Sequence, residues 1–124
     1  TYAFADATVP KVNVIIGAAY GSAYVAMNSK AVGADMTFAW PTAEIGMMDA
    51  KSAARIMYPD ADAAALNEKA AEYAGLQSSV VSAAKHGYVD TIIEAEDTRK
   101  YVIGALEMLF TKREDRPAKK HGTV

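Results

Sequence analysis

The sequence predicts an α/β domain, and three of its features do so. Short β-branched or apolar runs at 12–16, 36–40 and 88–93 alternate with stretches of helical periodicity, and proline or glycine stands at most of the junctions. Strands that alternate with helices pair in parallel. The 124 residues make one domain, and folding at this size removes roughly two-thirds of the unfolded chain's surface from water.

The opening TYAFADATVPK reads as the last turns of a helix whose start is missing, so the chain is expected to be a piece of a longer polypeptide. Residues 12–16 form a strand between Pro10 and Gly17, with the composition of one buried on both faces. Ser22 then opens a helix to about residue 30, in which Ala23, Ala26 and Met27 share a face. MTFAW at 36–40 is the second strand, stopped by Pro41, and 44–48 is a short third. Asp49 caps a helix over 50–57, Pro59 ends it, and Asp60 or Asp62 caps the next, which runs to Tyr73. Residues 76–85 form a further helix with Gly87 in the left-handed position past its end, and the strand 88–93 follows. Asp97 or Thr98 caps the last helix, 98–115, whose stripe of Val102, Leu106, Leu109 and Phe110 is expected to face the core. The closing RPAKKHGTV has little capacity to form a core and is expected on a surface or a partner.

Composition narrows the function. Thirteen basic and fifteen acidic residues give a net charge of -2, with one basic cluster in the tail, so nucleic acid is not an expected partner. The absence of cysteine removes disulfides, zinc-thiolate sites and cysteine nucleophiles. No apolar run approaches the roughly 18 residues of a membrane span, and the cytoplasm is the expected location. Glu44, Asp49 and Asp90 are separated singles without metal-ligand spacing, so no metal is expected, and Glu44 reads as a structural hydrogen-bond acceptor. His86 precedes Gly87 at a helix end, His121 lies in the tail, and neither belongs to a triad pattern. Met47 and Met48 read as core filler, and Trp40 as a core or interface anchor.

The stretch GAAYGSAY at 17–24 contains almost no side chain able to act as acid, base or nucleophile. Where a strand runs through a glycine turn into a helix, the first amides of the helix lack internal acceptors. Gly21 permits close approach, and Ser22 and Ala23 are too small to cover their own amides, so the backbone there can serve as an oxyanion hole. One such donor is typically worth on the order of 3 kcal/mol of transition-state stabilisation. Small residues in this place equally permit close packing of helix on sheet. The spacing is neither that of a dinucleotide loop nor that of a phosphate-binding P-loop.

GAAYGSAYVAMNSKAVGADMTFAWPTAEIGMM closely resembles the carboxyl-terminal half of the biotin-dependent acyl-CoA carboxyltransferases, and the resemblance continues through SSVVSAAKHGYVDTIIEAEDTRKYVIGALEMLFTKRED to PAKKHG. It therefore covers essentially the whole chain. It implies a crotonase-like fold of repeated ββα units, here the second half of a two-half subunit whose sites form between the halves of different protomers. It implies that the amides of Ser22 and Ala23 hold the ureido oxygen of carboxybiotin, with Tyr20, Gly21, Tyr24 and Val25 around the biotin. Carboxybiotin would arrive on a separate carrier domain and exchange its carboxyl group with a CoA thioester; decarboxylation of a malonyl-type thioester is the reverse. Both directions develop oxyanions and need no side-chain base. The implied partners are the amino-terminal half, further copies of the subunit, a biotin carrier protein, and a biotin carboxylase or a membrane decarboxylase subunit.

The match has departures. Gly17 and Ala18 stand where many relatives carry an Arg-Lys pair, Ser22 replaces a common glycine, and Val25 replaces an aspartate that propionyl-CoA carboxylases associate with acyl-chain choice. Two alternatives remain at this level: a free-standing crotonase-type hydratase or isomerase, and a non-catalytic assembly domain. A half-subunit would also expose apolar surface and self-associate.

Overall fold

Among the described residues, five short strands form two parallel sheets. The structure, a computed structural model, describes residues 1–116 of the chain. Strands β1 (Val12–Ile15), β3 (Met36–Ala39) and β5 (Thr91–Ile92) make one sheet in the order β1-β3-β5. Strands β2 (Ala18–Tyr20) and β4 (Glu44–Gly46) make a second, two-stranded sheet. The described residues also form six α-helices: α1 (Tyr2–Asp6), α2 (Gly21–Ala26), α3 (Ala50–Met57), α4 (Ala63–Tyr73), α5 (Val80–Lys85) and α6 (Thr98–Met108). None of the helices among the described residues is long and apolar enough to cross a membrane.

The expected α/β class and parallel pairing hold. Strand β2 was not foreseen. After Ile15 the chain leaves the main sheet, Ile16 is 58% exposed, and Ala18 to Tyr20 pair with Glu44 to Gly46. The backbone bond from Glu44 N–H to Gly17 C=O, at 3.2 Å, starts this second ladder. Three residues rich in alanine are too few to show a strand's alternation. Strand β1 lies at the edge of its sheet, and only Ile15 in it is fully buried, so the expectation of burial on both faces is not met.

Several helices are shorter than the periodicity predicted. Helix α2 stops at Ala26 instead of running to residue 30, because Asn28 turns left-handed with φ +58°, a conformation asparagine tolerates. Ser29 Oγ then donates to the Val25 carbonyl at 2.9 Å. The helix expected over 76–85 is split. Residues Ala74–Ser78 continue α4 as a π-helical turn, and Ser79, whose Oγ accepts from Ser82 N–H at 3.2 Å, caps a separate α5. Asp49 caps α3 as expected, and Asp62, of the two candidates, caps α4 by accepting from Ala65 N–H at 2.8 Å. Gly87 takes the left-handed conformation foreseen for it, φ +80°.

The last strand is also short, for a visible reason. Asp90 Oδ2 accepts the Thr37 amide at 2.8 Å and pairs with Lys30 Nζ at 2.7 Å, so a side chain does the work of a strand carbonyl; the Asp90 amide still donates to the Thr37 carbonyl at 2.9 Å, and the strand register begins with Thr91 opposite Phe38.

Alternate residues of the central strand β3 feed two apolar clusters, as the period of two requires. Ala39 joins Ile15, Ile45, Val80 and Val89 between the sheets and α5, whereas Phe38 joins Ile93 and Ala105 beneath α6. Trp40 packs on the second cluster and donates its Nε1–H to Thr98 Oγ1 at 2.9 Å, which confirms it as a core anchor. The stripe expected on the last helix is corrected. Ala105 is its buried residue, while Leu106 and Phe110 point outward and Phe110 is 81% exposed. The helix ends at Met108, not at 115. The tail from residue 117 onward, His121 included, lies outside the described residues.

The two ends of the described chain meet at Asp35. Its carboxylate accepts the Lys11 amide at 2.8 Å and Lys112 Nζ at 2.9 Å, and Lys112 also reaches the Val9 carbonyl at 3.3 Å. Burial alone would raise the Asp35 pKa, but the hydrogen bonds from Lys112 and the Lys11 amide outweigh it and hold it below the usual 3.8. A carboxylate with a lowered folded pKa stabilises the protein above its unfolded pKa and loses that contribution as pH falls through the folded value. Asp35→Asn is therefore expected to lower stability by about 2 kcal/mol at neutral pH. Denaturant titrations of both proteins should show this gap closing below about pH 4.

Candidate functional site

The β2–β4 register ends at Tyr20 opposite Gly46. Immediately beyond, Gly21 adopts φ +59° and begins α2. A Cβ at Gly21 would lie 3.0 Å from the Met47 carbonyl oxygen, so both its conformation and its surroundings require glycine. The first-turn amides of α2 that follow have no acceptor within the helix. Ser22 and Ala23 are exposed, so neither residue's side chain seals that turn.

Tyr20 fixes the turn from its other side. Its hydroxyl donates to Glu44 Oε2, linking β2 to β4 one residue before Gly21. Burial, and next the bond and negative charge of Glu44, push the Tyr20 phenol up to about 12. Glu44 is thus the structural acceptor its sequence context suggested, although it is exposed rather than buried.

A cavity of about 410 Å³ opens beside α2 and is bounded by Gly21, Tyr24 and Val25 on one side and by Gln77, His86 and Tyr88 on another. Of the residues expected at the biotin site, the structure brings Gly21, Tyr24 and Val25 to this lining, whereas Ser22 and Ala23 follow Gly21 outside it and the Tyr20 hydroxyl is turned to Glu44. The Tyr24 ring packs on the Ile15–Val89 cluster, and its hydroxyl is buried without a hydrogen-bond partner. Burial, followed by the neighbouring Tyr88, raises its pKa. Met47 also lines the cavity and is 79% exposed, which corrects its reading as core filler.

Sequence reasoning missed the far wall of the cavity. Gln77 reaches it because the π turn Ala74–Ser78 shifts the helix register, a geometry often found at functional sites. No period in the sequence signals such a turn. Among the described residues no group of three His, Cys, Asp or Glu is placed to hold a metal ion.

The family model described as carboxyl transferase domain matches residues 1–124. The chain belongs to this family. It is 47% identical to the methylmalonyl-CoA decarboxylase subunit alpha of Veillonella parvula, over 99% of this chain and 24% of that protein. It is 45% identical to the methylmalonyl-CoA carboxyltransferase 12S subunit of Propionibacterium freudenreichii subsp. shermanii, over 98% of this chain and 24% of that protein. The chain thus spans about a quarter of the length of these relatives. The transcarboxylase 12S structure solved with methylmalonyl-coenzyme A and methylmalonic acid bound superposes with a TM-score of 0.91 at 45% identity, over 98% of this chain and 24% of that one. The geranyl-CoA carboxylase beta subunit of P. aeruginosa, at 24% identity and a TM-score of 0.74, shares the fold. The fold is crotonase-like α/β, as the resemblance implied.

Two outcomes follow from the turn. Gly21→Ala is expected to destabilise the protein by about 1–3 kcal/mol, from the left-handed strain and the contact with the Met47 carbonyl, measurable as a lower denaturation midpoint. Spectrophotometric titration should find one tyrosine ionising near 12, absent in Tyr20→Phe and moved toward 10 in Glu44→Gln. Because the folded pKa is the higher one, the stability linked to Tyr20 is complete below pH 10 and is lost as pH rises toward 12.

Proposed function

We propose that this chain is the biotin-side half of an acyl-CoA carboxyltransferase subunit, which moves a carboxyl group between carboxybiotin and a CoA thioester. The observation that carries this reading is the left-handed Gly21 turn, which opens α2 beside a cavity whose lining contains no Lys, Arg, Asp or Glu. An oxygen that gains negative charge is stabilised by amides preorganised around it. An uncharged ring is accepted by an apolar wall with a few fixed polar groups.

The amides of Ser22 and Ala23 are assigned the ureido oxygen, Gly21 the close approach, and Tyr24 and Val25 the cavity side of α2. Tyr20 takes a positioning role through Glu44. Biotin, when bound, supplies the site of carboxyl attachment and the acceptor for the thioester's α-proton. The chain's own residues bind the ring, orient it and stabilise the charge on its oxygen, so no side-chain base is required here. Glu44, the carboxylate beside the turn, accepts the Tyr20 hydroxyl. A hydratase relies on a side-chain acid or base beside its oxyanion hole, and the engagement of Glu44 by Tyr20 weighs against that reading.

The thioester would bind mainly to the amino-terminal half of the subunit, supplied by another protomer. A biotin carrier protein brings carboxybiotin, and a biotin carboxylase or a membrane decarboxylase subunit completes the complex at a cytoplasmic location. The outward apolar surface of α6 and the turn after it, with Ile103, Leu106 and Phe110 exposed, suits burial in such an oligomer.

The test is carbon dioxide release from malonyl-CoA and methylmalonyl-CoA, with and without free biotin, by the full-length subunit that contains this chain. Release is expected only with biotin, and none from residues 1–124 alone. Ala23→Pro removes one amide, at a position in the first helical turn where proline is accepted. It is expected to lower kcat by about 100-fold with the oligomer intact. Loss of assembly instead would favour a structural role for the turn.

A further inference from the structure

The proposed function uses the α2 side of the cavity and leaves its opposite wall without a role. His86 on that wall is held in one tautomer. Its Nδ1 lies 2.8 Å from the Ser82 carbonyl oxygen, a group that only accepts, so Nδ1 carries the proton and donates. In the neutral imidazole Nε2 is then an acceptor. The ring is held further by stacking on Tyr88, with centroids 6.3 Å apart and planes 19° from parallel. Both rings line the cavity that begins at Gly21.

We infer that His86 is a positioning residue whose Nε2 accepts a hydrogen bond from a ring N–H of the ureido group. The inference rests on the proposed function, which assigns the ureido oxygen to the Ser22 and Ala23 amides. Those amides offer donors alone. A cyclic urea also carries an N–H that takes no part in carboxyl transfer, and this donor needs an acceptor when water is displaced. The lining has no carboxylate, so the acceptor must be neutral. Nε2 meets that need in a fixed orientation. The urea is then gripped through its oxygen by the backbone of α2 and through its nitrogen by the end of α5.

A bond to Ser82 alone would make His86 merely the end of α5, and two substitutions separate the roles. His86→Asn keeps a donor in place of Nδ1 but has nothing in place of Nε2. His86→Gln puts an amide oxygen close to the Nε2 position. In the full-length subunit, biotin-dependent decarboxylation of methylmalonyl-CoA is to be measured with both substrates varied. His86→Asn is expected to raise the KM for free biotin about tenfold, the loss of one hydrogen bond. Its KM for the thioester and its melting temperature should stay at parental values. His86→Gln should recover the KM for biotin to within about threefold of the parent.

A parental KM for biotin in His86→Asn overturns the inference while leaving the proposed function standing. So does an equal rise in both KM values, or a rise matched by a lower melting temperature in both variants. If the parent itself shows no biotin dependence, the proposed function falls and takes this inference with it.

Discussion

The close passage of Gly21 beneath the Met47 carbonyl is the constraint on which the rest of the site depends. The parallel pair β2–β4 brings the two strand ends together, and the next residue must turn away within van der Waals distance of the opposite backbone. Only a residue without Cβ can do so while turning left-handed. From that one step come the direction of α2, the freedom of its first amides and the opening of the cavity beside it. The Tyr20–Glu44 bond holds the strand ends in register immediately before the turn.

Polarity is divided sharply between scaffold and site. Charged groups hold the frame: Asp35 joins Lys11 and Lys112, and Asp90 stands in for a strand carbonyl while pairing with Lys30. The cavity itself is lined by glycine, aromatic, aliphatic and neutral polar residues. Backbone dipoles and uncharged side chains need little reorganisation as charge develops on a ligand, which is the condition for electrostatic preorganisation.

Much of this was legible in the sequence. The α/β class followed from strand-like runs between helical patterns, and the capping residues Asp49 and Asp62 marked their helices, because each signal is local. Gly21 was readable as a turn for the same reason. What escaped depended on distant partners. Strand β2 exists because Glu44 lies beside Gly17; the strand 88–93 is cut short because Asp90 takes the Thr37 amide. The π turn at Ala74–Ser78 has no periodic signature, so the roles of Gln77 and of the cavity's far wall were invisible. On α6 an apolar stripe was seen, but periodicity shows only that a helix has two faces, and the small Ala105 took the inner one.

The clasp at Asp35 carries a mechanical consequence. Lys112 spans from Asp35 to the Val9 carbonyl, and Arg116 donates to the Ala5 carbonyl. The first and last described segments are thus stitched to each other ahead of the sheet. Tension applied across them would load a few polar contacts one after another, in the manner of a zip, before it reached the parallel ladder. The strands that aim Gly21 are shielded from such a pull by bonds that can break and reform without disturbing them.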